Sequence, residues 1–214
     1  MKVVITGGAG FLGKKLARKI LEGSALGGER VSELLLFDVA KASGPGLDDP
    51  RVVAMDGDIA NFATVQSIMQ GASSVFHFAA IVSAGAESDF DLGYRVNLDG
   101  ARNVLEACRA LGTNPRVIFT SSLAAYGGDL PKAVTDDTPL TPQTSYGAQK
   151  AMGEFLVRDY TRKGYVRGTA IRLPTICVRT GRPNKAASTW ASSIVREPLT
   201  GIDVVCPVTS DTPM

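Results

Sequence analysis

The sequence predicts an α/β fold built on a doubly wound parallel sheet, and three observations carry that prediction. Short runs rich in Val, Ile, Leu and Phe alternate with stretches of helical periodicity, the pattern of repeated βαβ units. The first run passes into Thr6-Gly7-Gly8-Ala9-Gly10-Phe11-Leu12-Gly13, with glycines spaced G-x-x-G-x-x-G between a strand and a helix. Far downstream, Tyr146-Gly147-Ala148-Gln149-Lys150 sets a phenol and an ammonium one helical turn apart.

Each element follows in order. Lys2–Thr6 reads as the first strand and Phe11 to Glu22 as the first helix, where Lys14, Lys15, Arg18 and Lys19 interleave with Leu12, Leu16 and Ile20 as a solvated face. Leu34–Asp38 and Arg51–Met55 are strands, and Val39–Pro50 between them is a loop in place of a helix. A helix near Asn61–Met69 leads to a fourth strand, Val75–Ala79, and a long helical pattern then runs through Val96, Val104, Cys108 and Leu111. Arg116–Ser121 is the fifth strand, Ser145–Arg162 its following helix and Gly168–Leu173 the sixth strand, which is the count of a doubly wound sheet. From Pro174 the character changes: Arg179-Thr180-Gly181-Arg182-Pro183-Asn184 is loop-like, Ala186–Arg196 suits a helix, and no terminating element precedes Met214. The expected organisation is residues 1–173 as a dinucleotide-binding domain and residues 174–214 as the start of a small substrate lobe that breaks off.

Composition narrows the function classes. With 23 Lys and Arg against 21 Asp and Glu, the formal charge is only +2, so nothing recruits nucleic acid or a membrane surface. No apolar run approaches the roughly 18–20 residues of a membrane span and no signal-peptide pattern opens the chain, so a cytoplasmic location is expected. Cys108, Cys177 and Cys206 are widely spaced without a C-x-x-C, and His77 is the single histidine; neither a disulfide framework nor a metal site is indicated.

The glycine turn is a phosphate cradle when it opens a helix, because free N–H groups and the positive dipole end face an anion. Gly7, Gly10 and Gly13 let the backbone turn tightly, approach a pyrophosphate and pack helix on strand. That placement defines a Rossmann fold. Asp38 closes the second strand, where a carboxylate accepts ribose hydroxyls and repels a 2′-phosphate, favouring NAD over NADP, although Lys41 nearby leaves room for a phosphate. Asp58-Ile59 follows the third strand, where Asp58 either meets an adenine amino group or caps the next helix. Ala79 and Ala80 end the fourth strand with small residues that permit close approach of a cofactor. His77 has no carboxylate neighbour in sequence to tune it and reads as a strand residue rather than a catalyst. Lys150 on the same helical face as Tyr146 is positioned to lower the phenol's pKa and make it a base.

Taken with Phe37-Asp38-Val39, His77-Phe78-Ala79-Ala80, Asn97-Leu98-Asp99-Gly100 and Thr120-Ser121-Ser122-Leu123-Ala124-Ala125-Tyr126-Gly127, these residues resemble the extended short-chain dehydrogenase/reductase family, the NAD-dependent epimerase/dehydratase group. The resemblance covers essentially residues 1–175. It implies NAD as cofactor and a catalytic set in which Ser122 orients the substrate hydroxyl, Tyr146 is the general acid/base and Lys150 holds the nicotinamide ribose. It further implies cofactor contacts at Gly7, Gly10, Phe11, Leu12, Gly13, Asp38, Asp58, Ile59, Ala79, Ala80, Asn97, Ser121, Leu173 and Pro174. Members that dehydrate sugar nucleotides usually carry an acidic pair where this chain has Leu123-Ala124-Ala125, which argues against dehydration. The stretch from Ile171 to Ser188, with Arg196-Glu197-Pro198-Leu199, is similar to the branch that oxidises small four-carbon sugar acids such as D-erythronate. Arg179, Arg182 and Lys185 lie just past the sixth strand, where one of them would meet the substrate carboxylate. The expected partner is a small sugar acid, with a homodimer left open. A nucleotide-sugar epimerase and a non-catalytic dinucleotide sensor on the same fold stand as alternatives.

Overall fold

A computed structural model of the chain describes residues 1–179 and 187–209. The chain runs β1 (Lys2–Thr6), α1 (Phe11–Gly23), a hairpin of β2 (Ala25–Leu26) and β3 (Glu29–Arg30), β4 (Glu33–Asp38), β5 (Val52–Asp56), α2 (Phe62–Met69) and β6 (Ala72–His77). Then come α3 (Ser83–Ser88), α4 (Phe90–Gly93), a π-helical stretch (Tyr94–Asp99), α5 (Gly100–Leu111), β7 (Arg116–Ser122), a 3₁₀ turn (Leu123–Ala125), α6 (Ser145–Arg162), β8 (Arg167–Leu173) and α7 (Trp190–Arg196), which short 3₁₀ turns flank on both sides. Six strands pair in the order β5-β4-β1-β6-β7-β8, every pair parallel. The order reverses at β1, and that switch point is where ligands of doubly wound sheets bind.

Alternation along β1 and β4 divides the core between the two faces. Val3, Ile5, Leu34 and Leu36 pack with Ala17, Ile20 and Leu21 of α1, while Val4, Leu35 and Phe37 pack with the opposite layer that α2, α5 and α6 supply. Burial on both sides explains why these strands read as continuous apolar runs. The 39–50 segment is a loop, as expected, and Ala42 and Leu47 from it complete the α1 face in place of a helix.

The structure corrects one strand boundary, keeps the helix that follows it and adds a hairpin that the sequence reading left out. The fourth strand ends at His77, two residues early, because Phe78 N–H still reaches the Thr6 carbonyl at 3.0 Å whereas Ala79 N–H turns to the Thr6 hydroxyl at 3.4 Å. The long helical pattern after it is borne out, since α4, the π-helical stretch and α5 run on without a break from Phe90 to Leu111, with the short α3 before them. The β2–β3 hairpin turns through Gly27 and Gly28, both at positive φ, as two-residue hairpin loops require.

Candidate active site

At the carboxyl ends of the strands a cleft of about 750 Å³ runs from the β1–α1 turn to the ends of β7 and β8. Its first wall is made by the absence of side chains. A Cβ on Gly7, whose φ is +73°, would lie 2.7 Å from the Ala79 backbone nitrogen, and one on Gly13 would lie 2.3 Å from the Gly7 carbonyl oxygen. No rotamer relieves contacts with backbone atoms, so the first turn of α1 can sit against the strand ends only as glycine. Gly7, Gly10, Phe11, Leu12 and Gly13 line the cleft. The donor set fits a pyrophosphate: an open helix N-terminus whose cap, Gly10, brings no side chain to satisfy the free N–H groups.

Asp38 stands at the edge of this turn. Its carboxylate accepts from Ala9 N–H at 3.0 Å and from Val39 N–H at 2.7 Å, one bond per oxygen, which fixes its orientation and leaves a lone pair on each. A ribose diol fits that pair. Lys41 is drawn off to Asp56, 3.8 Å away on the surface. Asp58 lines the cleft but does not cap α2, a role Asn61 takes by accepting from Thr64 N–H at 3.1 Å. Asp58 instead accepts from Ala60 N–H and pairs with Arg95, and these contacts, the Ala60 bond foremost, hold its carboxyl below the usual range. Ile59, Ala79 and Ala80 also line the cleft.

Asn97 does not line it. This buried residue donates to the Ile81 carbonyl and to Gln149 Oε1, and accepts from Ile81 N–H at 2.7 Å, so its capacity goes to tying the segment after β6 to α6. It braces the wall rather than touching what the wall holds. His77 is likewise structural in its bonding: Nδ1 meets the Thr6 hydroxyl at 2.7 Å, the ring stacks on Phe119, and burial, with the nearby Lys150 charge, pushes its pKa down to about 3.

The second wall brings Ser122, Tyr146 and Lys150 together. Thr144 caps α6 by accepting from Gly147 N–H at 3.1 Å, and Glu87 of α3 accepts from Ser145 N–H at 2.9 Å, so the helix begins one residue before the phenol. Gly147 then allows α6 to press against the turn after β7, since a Cβ there would lie 2.0 Å from the Ala124 carbonyl oxygen. That contact sets Tyr146 beside Ser122 on the wall of the cleft, where the Ser122 hydroxyl accepts from Ala124 N–H at 3.1 Å. Lys150 is buried and donates to the Thr120 carbonyl at 2.7 Å, with its nitrogen 5.7 Å from the Tyr146 ring centre. Burial lowers the Lys150 ammonium to about 8.

The Tyr146 phenol does not follow expectation. Burial raises its pKa, outweighing the lowering that the neighbouring Ser122 hydroxyl and the Arg179 charge provide. The Lys150 ammonium is turned to the end of β7 and is itself destabilised by burial, so in this structure it does not dominate the phenol.

Ser121, Leu173 and Pro174 line the cleft near Ser122, as does Arg179, whose guanidinium also donates to the Ile176 carbonyl and the Ser188 hydroxyl. Arg182 and Lys185 lie outside the described residues. Sequence reasoning missed the role of Gly147 and the half-buried ion pair behind Ser121. There Glu154 accepts from Ser121 and is held by Arg172, with nitrogen–oxygen distances of 2.8, 2.9 and 3.2 Å. One signal was present: Glu154 lies one helical turn beyond Lys150. Among the described residues, no helix is long and apolar enough to cross a membrane.

A parallel sheet with a glycine cradle at its switch point and a Ser, Tyr and Lys set across the cleft defines a dinucleotide-binding α/β domain. Comparison places it further: residues 3–208 match the NAD dependent epimerase/dehydratase family, and the chain belongs to that family. It is 55% identical to D-erythronate dehydrogenase of Cupriavidus necator over all of this chain and 67% of that protein. It is 50% identical to the Haemophilus influenzae protein of the same name, over 99% of this chain and 66% of that one. Among solved structures, the nucleoside-diphosphate-sugar epimerase from Agrobacterium tumefaciens superposes with a TM-score of 0.90 at 44% identity, covering 98% of this chain and 63% of that one. UDP-glucose 4-epimerase from Brucella ovis in complex with NAD superposes with a TM-score of 0.67 at 30% identity, covering 80% of this chain and 51% of that one. The chain thus spans about two thirds of the length of the two dehydrogenases and of the Agrobacterium tumefaciens protein.

Proposed function

We propose that residues 1–173 form the cofactor-binding and catalytic part of an NAD-dependent dehydrogenase that oxidises a secondary hydroxyl of a small sugar acid such as D-erythronate. Residues 174–214 begin its substrate-binding part. The observation that carries this reading is the convergence of Ser122, Tyr146 and Lys150 on the cleft that the glycine cradle opens. The two relatives named D-erythronate dehydrogenase support the substrate class.

NAD, when bound, supplies the acceptor for the hydride that leaves the carbinol carbon. Tyr146 takes the hydroxyl proton on its phenolic oxygen, and Ser122, on the same stretch of the cleft wall, holds that hydroxyl in line. Lys150 gives one N–H to the Thr120 carbonyl and keeps two for ribose hydroxyls. Arg179 brings positive charge to the same cleft, where it meets a substrate carboxylate and favours the phenolate. Because burial holds the phenol above its ordinary value, the reactive base accumulates on the alkaline side, and turnover rises with pH until Tyr146 is ionised.

Absorbance of reduced nicotinamide tests the proposal. D-erythronate is expected to give turnover that the neutral polyol and a UDP-sugar do not. Tyr146→Phe keeps NAD affinity and loses about 10²–10⁴-fold in kcat, the usual worth of acid–base catalysis. Interconversion of the UDP-sugar with its epimer, followed by chromatography because it leaves no net reduced nicotinamide, would instead make the protein an epimerase. NAD binding without a response to any alcohol would make it a sensor.

A further inference from the structure

Behind the cleft, four polar side chains from three elements and the loop after β7 form one chain of hydrogen bonds. Ser121, at the end of β7 and 2% exposed, donates its hydroxyl proton to Glu154 Oε1 on α6. Glu154 is gripped by Arg172 of β8, through Nε at 2.9 and 3.2 Å and through a terminal nitrogen at 2.8 Å. The other terminal nitrogen of Arg172 reaches the Tyr126 hydroxyl, which donates at 3.0 Å to the Thr135 carbonyl in the loop between β7 and α6. The Glu154 and Arg172 side chains are only 11% and 20% exposed, so water does not compete freely for these bonds.

The direction of these bonds has a chemical consequence. A carboxylate gripped by a guanidinium is ionised and can only accept, and a guanidinium can only donate. The Ser121 hydroxyl has one proton, and Glu154 takes it. What the hydroxyl has left to offer the cleft that Ser121 lines is therefore a lone pair and not a proton. Ser121 shares that part of the wall with Ser122, Lys150, Leu173 and Pro174, where the nicotinamide end of a dinucleotide belongs if the proposed function holds.

We propose that Glu154 is a positioning residue which, held by Arg172, fixes Ser121 as a hydrogen-bond acceptor for the carboxamide N–H of the nicotinamide ring. The inference rests on the NAD-binding reading above and goes beyond it by assigning the polarity of one wall group and the residue that sets it.

Calorimetric titration with NAD and with its 3-acetylpyridine analogue tests this. The analogue replaces the carboxamide NH₂ by a methyl group and so keeps the acceptor and loses the donor. The unaltered chain is expected to prefer NAD by about five- to tenfold, the worth of one hydrogen bond. Glu154→Gln presents an amide that can donate to Ser121 and release its proton toward the cleft, so the preference falls to near unity. Ser121→Ala removes the acceptor and gives the same result without touching the ion pair. A purely structural role for Glu154 would weaken both dinucleotides alike and leave their ratio unchanged, which overturns the proposal. Should Glu154→Gln fail to fold, Ser121→Ala decides alone: a retained preference overturns the proposal, and a lost one upholds it. If the unaltered chain binds neither dinucleotide, the NAD reading itself falls and the proposal with it.

Discussion

At the β1–α1 end of the cleft the wall is backbone, shaped by what Gly7 and Gly13 leave out; at the β7–α6 end it is side chain, built from a buried lysine, a half-buried phenol and a gripped carboxylate. The first is held by sterics, which are local and do not titrate. The second is held by hydrogen bonds between residues far apart in sequence, in a setting where charge is expensive. The contrast teaches that one cleft can hold its ligand with rigid absence and do its chemistry with costly presence.

Adding one methyl group at each end breaks the comparison most directly. Gly13→Ala forces a Cβ to 2.3 Å from the Gly7 carbonyl oxygen, and a loss of about 3 kcal/mol with abolished NAD binding is expected by denaturant titration and calorimetry. Gly147→Ala puts a Cβ 2.0 Å from the Ala124 carbonyl oxygen and should cost similar stability. Its signature differs: residual folded protein still binds NAD, while turnover falls because Tyr146 is pushed off Ser122.

Lys150→Met sharpens the contrast, because it removes a cost as well as a function. Burial lowers the folded-state ammonium from 10.5 to about 8, so below pH 8 both states are protonated and the folded state bears the full penalty. As pH rises from about 8 to 10.5 the folded chain releases its proton first, the unfolded chain binds more protons, and stability increases until the penalty is gone. The shift corresponds to about 3 kcal/mol, offset by roughly 1 kcal/mol for the Thr120 carbonyl left without its donor. Urea denaturation of the ligand-free chain at pH 7 should therefore show Lys150→Met more stable by about 2 kcal/mol. That advantage should vanish by pH 10.5.

The smallest effect tests the joint between the two kinds of wall. Asp38→Ser removes the carboxylate that the proposed function sets against a ribose and also frees Ala9 N–H in the glycine turn. NAD preference over NADP should relax by about tenfold in paired titrations, the scale of one relieved charge repulsion. An unchanged ratio would mean that Asp38 serves the turn alone.

How much of this was legible in the sequence follows the same division. The six sheet strands and α6 could be read because strands buried on both faces are apolar throughout and because the turn residues punctuate them. Ala25-Leu26-Gly27-Gly28-Glu29-Arg30 passed unread although its glycine pair is a hairpin signal, since strands of two residues carry no periodicity. Asn97 shows the limit for contacts: its position in the chain was legible, but its pairing with Gln149 and Ile81 depends on α6 meeting the segment after β6. The direction of the Tyr146 shift was hidden for a related reason. Helical spacing reveals that Lys150 is near, whereas the burial that outweighs it comes from elements joined only in the fold. Glu154 shares the helical face of Lys150, yet its partners sit on two different strands.

Tyr146, Lys150 and Glu154 follow one another at four-residue intervals on a helix whose turn takes about 3.6 residues, so each successive side chain is rotated by about 40° from the last. The three groups fan out: the first into the cleft beside Ser122, the second to the Thr120 carbonyl, the third to Ser121 and Arg172. A single rigid axle thus serves three stations along β7. Inserting one residue between any two of them would swing the next by about 100°, and the helix is in that sense a ruler whose graduations the chemistry cannot do without.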